Sequence, residues 1–262
     1  MTHEPNSAAP LARLDGPDKV TGRARYVDDL TVKGLLHGAT IRSSVPRGRI
    51  KSVNYDPSLP WHEFTIVTAA DIPGTNEILL ITTDQPCLAD GLVRHDAEAI
   101  LLLAHPDKEM LRRGERGITI EYEELPACLD VRQSGRPEFL QYGPDNTFHS
   151  IDIVKGDVEA GFEAADLILD EGYETGAQEQ AYIEPQGMLA IPGPLPPGLL
   201  PGDEAAPAGT RLTLIGSLQC PYYVVKAITH LLGITVEELR VIQATTGGGF
   251  GGKEEYPSMI AG

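Results

Sequence analysis

The sequence predicts an α+β protein built from two units. Three observations carry that expectation. From Arg13 onward, strand-like apolar runs are interspersed with amphipathic helical stretches. A run rich in Gly, Pro and polar residues separates them at Arg132–Thr147. Near the end, the β-branched run Leu-Arg-Val-Ile-Gln at Leu239–Gln243 leads through Ala-Thr-Thr into five glycines interrupted by Phe250, then Lys253, Glu254 and Glu255, where a helix is expected to begin.

At 262 residues and 41% apolar content the chain is globular by composition and can bury a sizeable core. Its formal charge of −17 is spread along the sequence, which speaks against nucleic acid or an anionic membrane as partner. Cys87, Cys128 and Cys220 are far apart and form no Cys-x-x-Cys pair, so reduced thiols are expected rather than a zinc or iron–sulfur site. Met1–Pro10 has no basic start or apolar core, and no run of about 18 apolar residues occurs, so a cytoplasmic protein is expected.

Residues 1–12 are expected to form a flexible tail, and residues 13–131 the first unit. Leu35–Ser43 and Arg49–Tyr55 read as strands, with Pro46-Arg47-Gly48 as the turn of a hairpin. Phe64–Thr68, Ile78–Thr82 and Ala97–Ala104 are further strands, the last apolar enough to lie inside a sheet. Asp107–Gly117 places Asp107, Glu109, Arg112 and Arg116 on the solvent face of a short helix that stops at Gly114 or Gly117. Ile118–Tyr122 returns as a strand, with Glu121, Glu123 and Glu124 as a solvated edge. His95 and His105 lack partners at ligand spacing and receive no role.

Residues 132–147 are expected to be the linker, and 148–262 the second unit. Ile151–Lys155 should be a strand, Asp157–Ala165 a helix with Val158, Phe162 and Ala165 on one face, and Leu167–Thr175 the next strand. Pro192–Thr210 has neither apolar content nor periodicity between the strands Gly187–Ile191 and Arg211–Ile215, so it is expected to be a mobile hairpin insertion. Pro221–Leu232 is the clearest helix: proline at its first turn, an apolar stripe of Val224, Val225, Ile228, Leu231 and Leu232, and Gly233 as its stop. Thr235-Val236-Glu237-Glu238 matches a capping box.

Glycines free to take positive φ let the backbone lie against a ligand and present successive N–H groups to an anion. Several readings of the loop compete. Gly247-x-Gly249-x-x-Gly252 fits a dinucleotide fingerprint, but no acidic ribose residue about 20 positions on is present. Gly247-x-x-x-x-Gly252-Lys253 fits a phosphate loop, except that Glu254 stands where a Ser or Thr should meet magnesium. A glycine-rich turn that only allows close packing is the plain alternative.

Thr-Thr-Gly-Gly-Gly-Phe-Gly-Gly-Lys-Glu-Glu, with Gln178-Glu179 and Tyr182-Ile183-Glu184-Pro185 upstream, resembles the molybdenum-binding part of the xanthine dehydrogenase and aldehyde oxidase family. Gly22–Asp29 and Leu36–Ser43 resemble the hammerhead domain of the same family. The resemblance implies a hammerhead-type α/β domain over 13–131, followed by the first part of a mixed α/β molybdopterin-binding domain over 148–262. The cofactor it implies is molybdopterin or its cytosine dinucleotide carrying molybdenum, with no protein side chain bound directly to the metal. Gln178 would then hydrogen-bond an oxygen ligand of molybdenum, while Gly249, Phe250 and Gly251 contribute the cofactor-binding backbone. An amide suits Gln178's task because it donates without adding charge.

Members of this family hydroxylate a carbon beside a ring nitrogen, or an aldehyde carbon, with water as oxygen donor. Glu254, directly after Gly-Gly-Lys, matches the residue that binds purine in xanthine dehydrogenases, and it tilts the expectation from aldehydes towards a purine or related N-heterocycle. A helix-terminal carboxylate stabilised by the helix dipole is the structural counterpart of that reading. Where the family often has Gln-Glu-His-Phe-Tyr-Leu-Glu, this chain has Gln178-Glu179-Gln180-Ala181-Tyr182-Ile183-Glu184, which implies a changed pocket wall. The resemblance also implies that the family's base glutamate lies beyond Gly262, so no catalytic residue is assigned and the chain alone is expected to be inactive. Its expected partners are the remainder of the molybdenum subunit or a complementary chain, an iron–sulfur subunit and an FAD subunit. A non-catalytic remnant or assembly module with a structural glycine loop is the reading from another class.

Overall fold

A computed structural model describes residues 13–79, 83, 85–200 and 207–254. The chain divides into one unit made of residues 1–123 together with 180–262, and a second of residues 124–179.

In the first unit, the short helix α1 (Gly16–Val20) precedes β1 (His37–Arg42), β2 (Gly48–Tyr55), β3 (Thr65–Thr68), β4 (Leu92–Val93) and β5 (Ala99–His105). β5 is the continuous apolar run Ala-Ile-Leu-Leu-Leu-Ala-His, and five of those seven residues are buried, as expected of a strand covered on both faces. It takes β1 and β3 as antiparallel neighbours, with Thr40 opposite Leu102 and Ile66 opposite Leu103. β2 lies instead in a second three-stranded sheet, between β4 and β6 (Ile118–Glu124). The expected β1–β2 hairpin is therefore corrected. β5 claims β1 as its neighbour, and beyond the irregularity at Ile41/Arg42 the chain stays on that side, with the Ser43 N–H donating to Glu98 O at 2.8 Å.

Between β5 and β6, α2 (Lys108–Arg116) starts where expected, because the Asp107 side chain accepts the Met110 N–H at 2.8 Å. Its stop is Gly117; Gly114 is interior, against Phe64 and Leu103. Of the strand expected at Ile78–Thr82, residues 80–82 fall outside the described residues; Ile78 is buried and unassigned to any strand. His105 is also buried, its ring 4.7 Å from that of Phe64 and its Nδ1 accepting the Asp107 N–H, which makes it a packing residue. Burial pushes the Cys87 thiol up to about 11, and none of the three cysteines is in a disulfide.

The later part of this unit is a β-α-β arrangement. β7 (Met188–Pro192) pairs antiparallel with β8 (Leu212–Gly216), and β8 pairs parallel with β9 (Leu239–Gln243). Helix α4 (Pro221–Leu232) makes the crossover that parallel strands require. Successive residues of a strand face opposite sides of the sheet. Leu214 accordingly packs with Val224, Ala227, Ile228 and Leu231 of α4, whereas Ile215 packs with Leu30, Leu189 and Ile191. Burying each large α4 side chain contributes roughly 1.5–3 kcal/mol. Gly233 ends the helix in the left-handed conformation at φ 63°. The last carbonyls of α4 are met from the first half of the chain: Gly74 N–H donates to Leu231 O at 2.8 Å and Thr75 N–H to His230 O at 3.2 Å. A Cβ on Gly74 would collide with the His230 carbonyl oxygen.

Part of the expected insertion between β7 and β8 is not exposed. Leu199 is buried with Ile191 and Ile215, so an apolar pair, Leu199-Leu200, too short to register as periodicity, anchors that connection. Residues 201–206 lie outside the described residues.

The unit of residues 124–179 contains helix α3 (Val158–Glu163), capped by the Asp157 side chain accepting the Ala160 N–H at 3.0 Å. The strands expected at Ile151–Lys155 and Leu167–Thr175 do not form, and their apolar residues are exposed. A strand is completed only by a neighbour's N–H and C=O groups, and among the described residues neither stretch has one.

Candidate functional site

The glycine loop follows β9, which β8 fixes from the side by parallel pairing, Gly216 opposite Gln243. Beyond it the Ala244 N–H donates to Gly216 O at 2.8 Å, so the sheet edge continues to the loop's threshold. Gly248, Phe250 and Gly251 then have φ of 100°, 50° and 87°. Phe250 holds a left-handed conformation that L side chains rarely adopt, and its ring is 75% exposed. Ala181, in the upstream motif, has φ 50°. Non-glycine residues in this region carry strain that folded proteins keep mainly at functional sites.

The loop is held by side chains from two distant segments. Glu184 Oε2 accepts the Gly247 N–H at 2.5 Å, the Ser217 hydroxyl at 2.6 Å and Lys253 Nζ at 3.2 Å. Gln219 Oε1 accepts the N–H groups of Gly251 at 3.1 Å and Lys253 at 3.2 Å. Gln186 Nε2 donates to Gly252 O at 2.7 Å. These approaches explain the glycines. A Cβ at Gly247 would stand 2.5 Å from Glu184 Cβ, and one at Gly249 would collide with Gln219 Oε1.

Lys253 is fully buried, lies 4.6 Å from the centroid of the Tyr182 ring, and donates to Ser217 Oγ at 2.8 Å. A charge so buried is tolerable only when paired and hydrogen-bonded, and Glu184 supplies the pair. The phosphate-loop reading needs that ammonium at a phosphate; here it is turned into the protein.

What remains available on the loop is a short run of neutral donors. The N–H groups of Gly247, Gly251, Gly252 and Lys253 are taken, that of Gly252 by Gly249 O at 2.7 Å. Among the described residues, those of Gly248, Gly249 and Phe250 make no hydrogen bond. Such a nest suits an oxygen or other acceptor atom of a ligand.

The expected site residues Gly249, Phe250 and Gly251 are thus contiguous on the loop, with Gly249 buried and Phe250 and Gly251 exposed, and Glu254 follows the buried Lys253 and is half-buried. The Gly251 N–H is already spent on Gln219. Gln178 belongs to the other unit and is exposed there. The helix expected to begin at Lys253–Glu255 does not start within the described residues; Glu255 lies outside them. Among the described residues no cluster of three His, Cys, Asp or Glu stands ready to hold a metal ion, and no helix is long and apolar enough to cross a membrane.

Glu184, Ser217, Gln219 and Lys253, the residues that shape the loop, carry no signal in the sequence that assigns them this work. Glu184 and Lys253 are 69 positions apart, and local periodicity cannot pair residues at that range.

Comparison with known proteins covers nearly the whole chain. The family model of the molybdopterin cofactor-binding domain matches residues 140–261, and that of the aldehyde oxidase and xanthine dehydrogenase a/b hammerhead domain matches residues 21–126. A probable xanthine dehydrogenase subunit of Bacillus subtilis (strain 168) is 31% identical over 95% of this chain and 32% of its own length. The nicotinate dehydrogenase large molybdopterin subunit of Eubacterium barkeri is 30% identical over 92% of this chain and 54% of its own length. The chain therefore spans between a third and about half of these two relatives. Among solved structures, the aldehyde oxidoreductase of Desulfovibrio gigas matches at a TM-score of 0.67, with 22% identity, over 90% of this chain and 26% of that one. A Cu,Mo-CO dehydrogenase matches at 0.63, with 21% identity, over 97% of this chain and 33% of that one. At such identities the two structures bear on the fold alone.

Proposed function

From the premise that this chain belongs to the aldehyde oxidase and xanthine dehydrogenase family, we propose that it is part of the molybdenum-binding subunit of a hydroxylase acting on a purine or related N-heterocycle. Its homologues are molybdenum oxidoreductases, and its molybdopterin-binding domain calls for a molybdopterin cofactor. The cytosine dinucleotide is one form that cofactor takes in our reading. When bound, the cofactor supplies two-electron oxidation, with water as the oxygen donor; iron–sulfur and FAD partners would receive the electrons.

One observation carries the assignment of the site: a loop with three neutral N–H groups that are unengaged among the described residues, and with a left-handed Phe250, lies inside the segment that matches the cofactor-binding domain. Gly248, Gly249 and Phe250 would donate their N–H groups to acceptor atoms of the cofactor, and Gly251 would offer its carbonyl. Gln178 would donate from its amide to ligand atoms of the same group without adding charge. Glu254 would accept hydrogen bonds from N–H groups of the heterocycle. A relative whose name records nicotinate as its substrate supports the wider N-heterocycle class over xanthine in particular.

The remainder of such a subunit, in the same or a complementary chain, is the partner this reading requires. Ile151, Ile153, Leu167 and Leu169, all more than 70% exposed, are apolar surface that a further protein segment would cover. The domain arrangement we infer is a hammerhead domain over 13–131 and the start of a cofactor-binding domain from 148, joined by 132–147.

The test is made in the assembled subunit with Glu254→Gln, which keeps the shape and removes the charge, and Glu254→Val, which also removes the hydrogen bonds. Losing a charge-assisted contact to the substrate should cost roughly 1.5–3 kcal/mol, about one to two decades in kcat/KM for hypoxanthine, with molybdenum content unchanged. If Glu254→Val kept kcat/KM within a few-fold while its Tm fell, Glu254 would be a structural carboxylate and the purine assignment would lose its support.

A further inference from the structure

The family reading does not say why the loop's lysine faces inward. One carboxylate oxygen, Glu184 Oε2, binds the first residue of the loop through the Gly247 N–H and the residue after its last glycine through Lys253 Nζ. Ser217 Oγ bridges the two charges, accepting from Lys253 while donating its own proton to Glu184. Gln219 closes the same span from the other side by accepting two of the loop's N–H groups. The loop is therefore fixed at both ends by acceptors that belong to the protein. Its cation is neutralised internally, and the donors left over are uncharged.

We propose that Glu184 and Gln219 are positioning residues that hold the glycine loop in its ligand-binding conformation, with Lys253 as the internal counter-charge of Glu184 and not a ligand of the cofactor. This rests on the reading that the loop holds the cofactor. Glu184→Gln strands the Lys253 ammonium without a counter-charge, whereas Glu184→Gln with Lys253→Met removes both charges and keeps most of the volume. A role in filling space alone makes the double variant at least as damaged as the single one. A matched charge pair makes it better.

Hydrogen exchange of the purified chain, followed by mass spectrometry, reads the loop through a peptide spanning 244–254, with the α4 peptide 221–232 as internal reference. Glu184→Gln should speed exchange of the loop peptide at least tenfold, and the double variant should recover to within a few-fold of the parent. Gln219→Leu should speed it as well, while Gln219→Glu, which keeps an acceptor oxygen, should not; this pair serves if Glu184→Gln alone unfolds the reference helix. Unchanged loop exchange in both Glu184→Gln and Gln219→Leu, or a double variant no better than the single, overturns the proposal. In the assembled subunit, the variants with a loosened loop should also retain less molybdenum by elemental analysis; full retention overturns the positioning role. Should the parent subunit itself hold no molybdenum while its loop exchanges slowly, the cofactor reading fails and the loop clamp stands.

Discussion

Between Leu212 and Gly216 the chain writes Leu-Thr-Leu-Ile-Gly, and every residue after the first is buried. Between Leu167 and Leu169 it writes Leu-Ile-Leu, and all three side chains are exposed, Leu167 by 76% and Leu169 by 74%. Composition does not distinguish the two runs. The first has β7 on one side, β9 on the other and α4 across one face; the second, among the described residues, has no strand paired to it. An apolar run thus becomes a strand only where other segments supply its hydrogen bonds and cover its side chains. In the proposed subunit, the exposed apolar residues between 148 and 179 would be surface that a further protein segment covers.

Three measurements would break or sharpen that contrast. Hydrogen exchange should show the largest effect: amides of β8 protected by roughly three or more decades over those of 151–155 and 167–175, since local opening energies run from near zero up to the global stability. Equal protection would dissolve the comparison. Next in size, Ile215→Ala, at a fully buried position, should destabilise the chain by about 2–5 kcal/mol, while Ile153→Ala, at a position 88% exposed, should stay within about 0.5 kcal/mol in urea unfolding. A large loss at Ile153 would mean that the second unit has a core of its own.

The smallest effect is acid sensitivity, and it belongs to the first unit. The Met110 N–H holds the Asp107 carboxyl below its ordinary value, and the Thr235 N–H with Arg211 does the same for Glu238. For carboxylates lowered in the folded state, the contribution is fully present above the unfolded values of 3.8 and 4.5 and is lost as pH falls through the folded ones. The Tm should therefore fall by some degrees between pH 5 and pH 3, and Asp107→Asn should reduce that fall. An unchanged difference in Asp107→Asn would remove the α2 cap from the account.

How much of this is legible in the sequence depends on the range of the interaction. Helix α4, with Pro221 at its start and Gly233 at its end, and α2, with Asp107 and Gly117, are written in neighbouring residues, and their bounds agree with expectation within a residue or two. The apolar β5 is legible for the same reason. Strand partners are not local: the turn signal at Pro46–Gly48 predicts a β1–β2 hairpin, and a more apolar strand takes β1 instead. The two-residue β4 is too short for any periodicity. At the site, the loop itself is visible as glycines. Their physical cause, Glu184 and Gln219 pressed against Gly247 and Gly249, becomes visible only once Glu184, 63 positions from Gly247, and Gln219, 32 positions from Gly251, are seen to meet the loop.

The join between Gly74 and the end of α4 bears on the order in which the chain folds. A helix of 12 residues is marginal on its own, and the carbonyls of its last turn here find their partners in Gly74 and Thr75, on the far side of the 124–179 excursion. Closing so long a loop is entropically costly and slow, and it must precede the contacts that reward it. The last turn of α4 is therefore satisfied only by a long-range contact, in which the first-made part of the chain finishes a helix synthesised long after it.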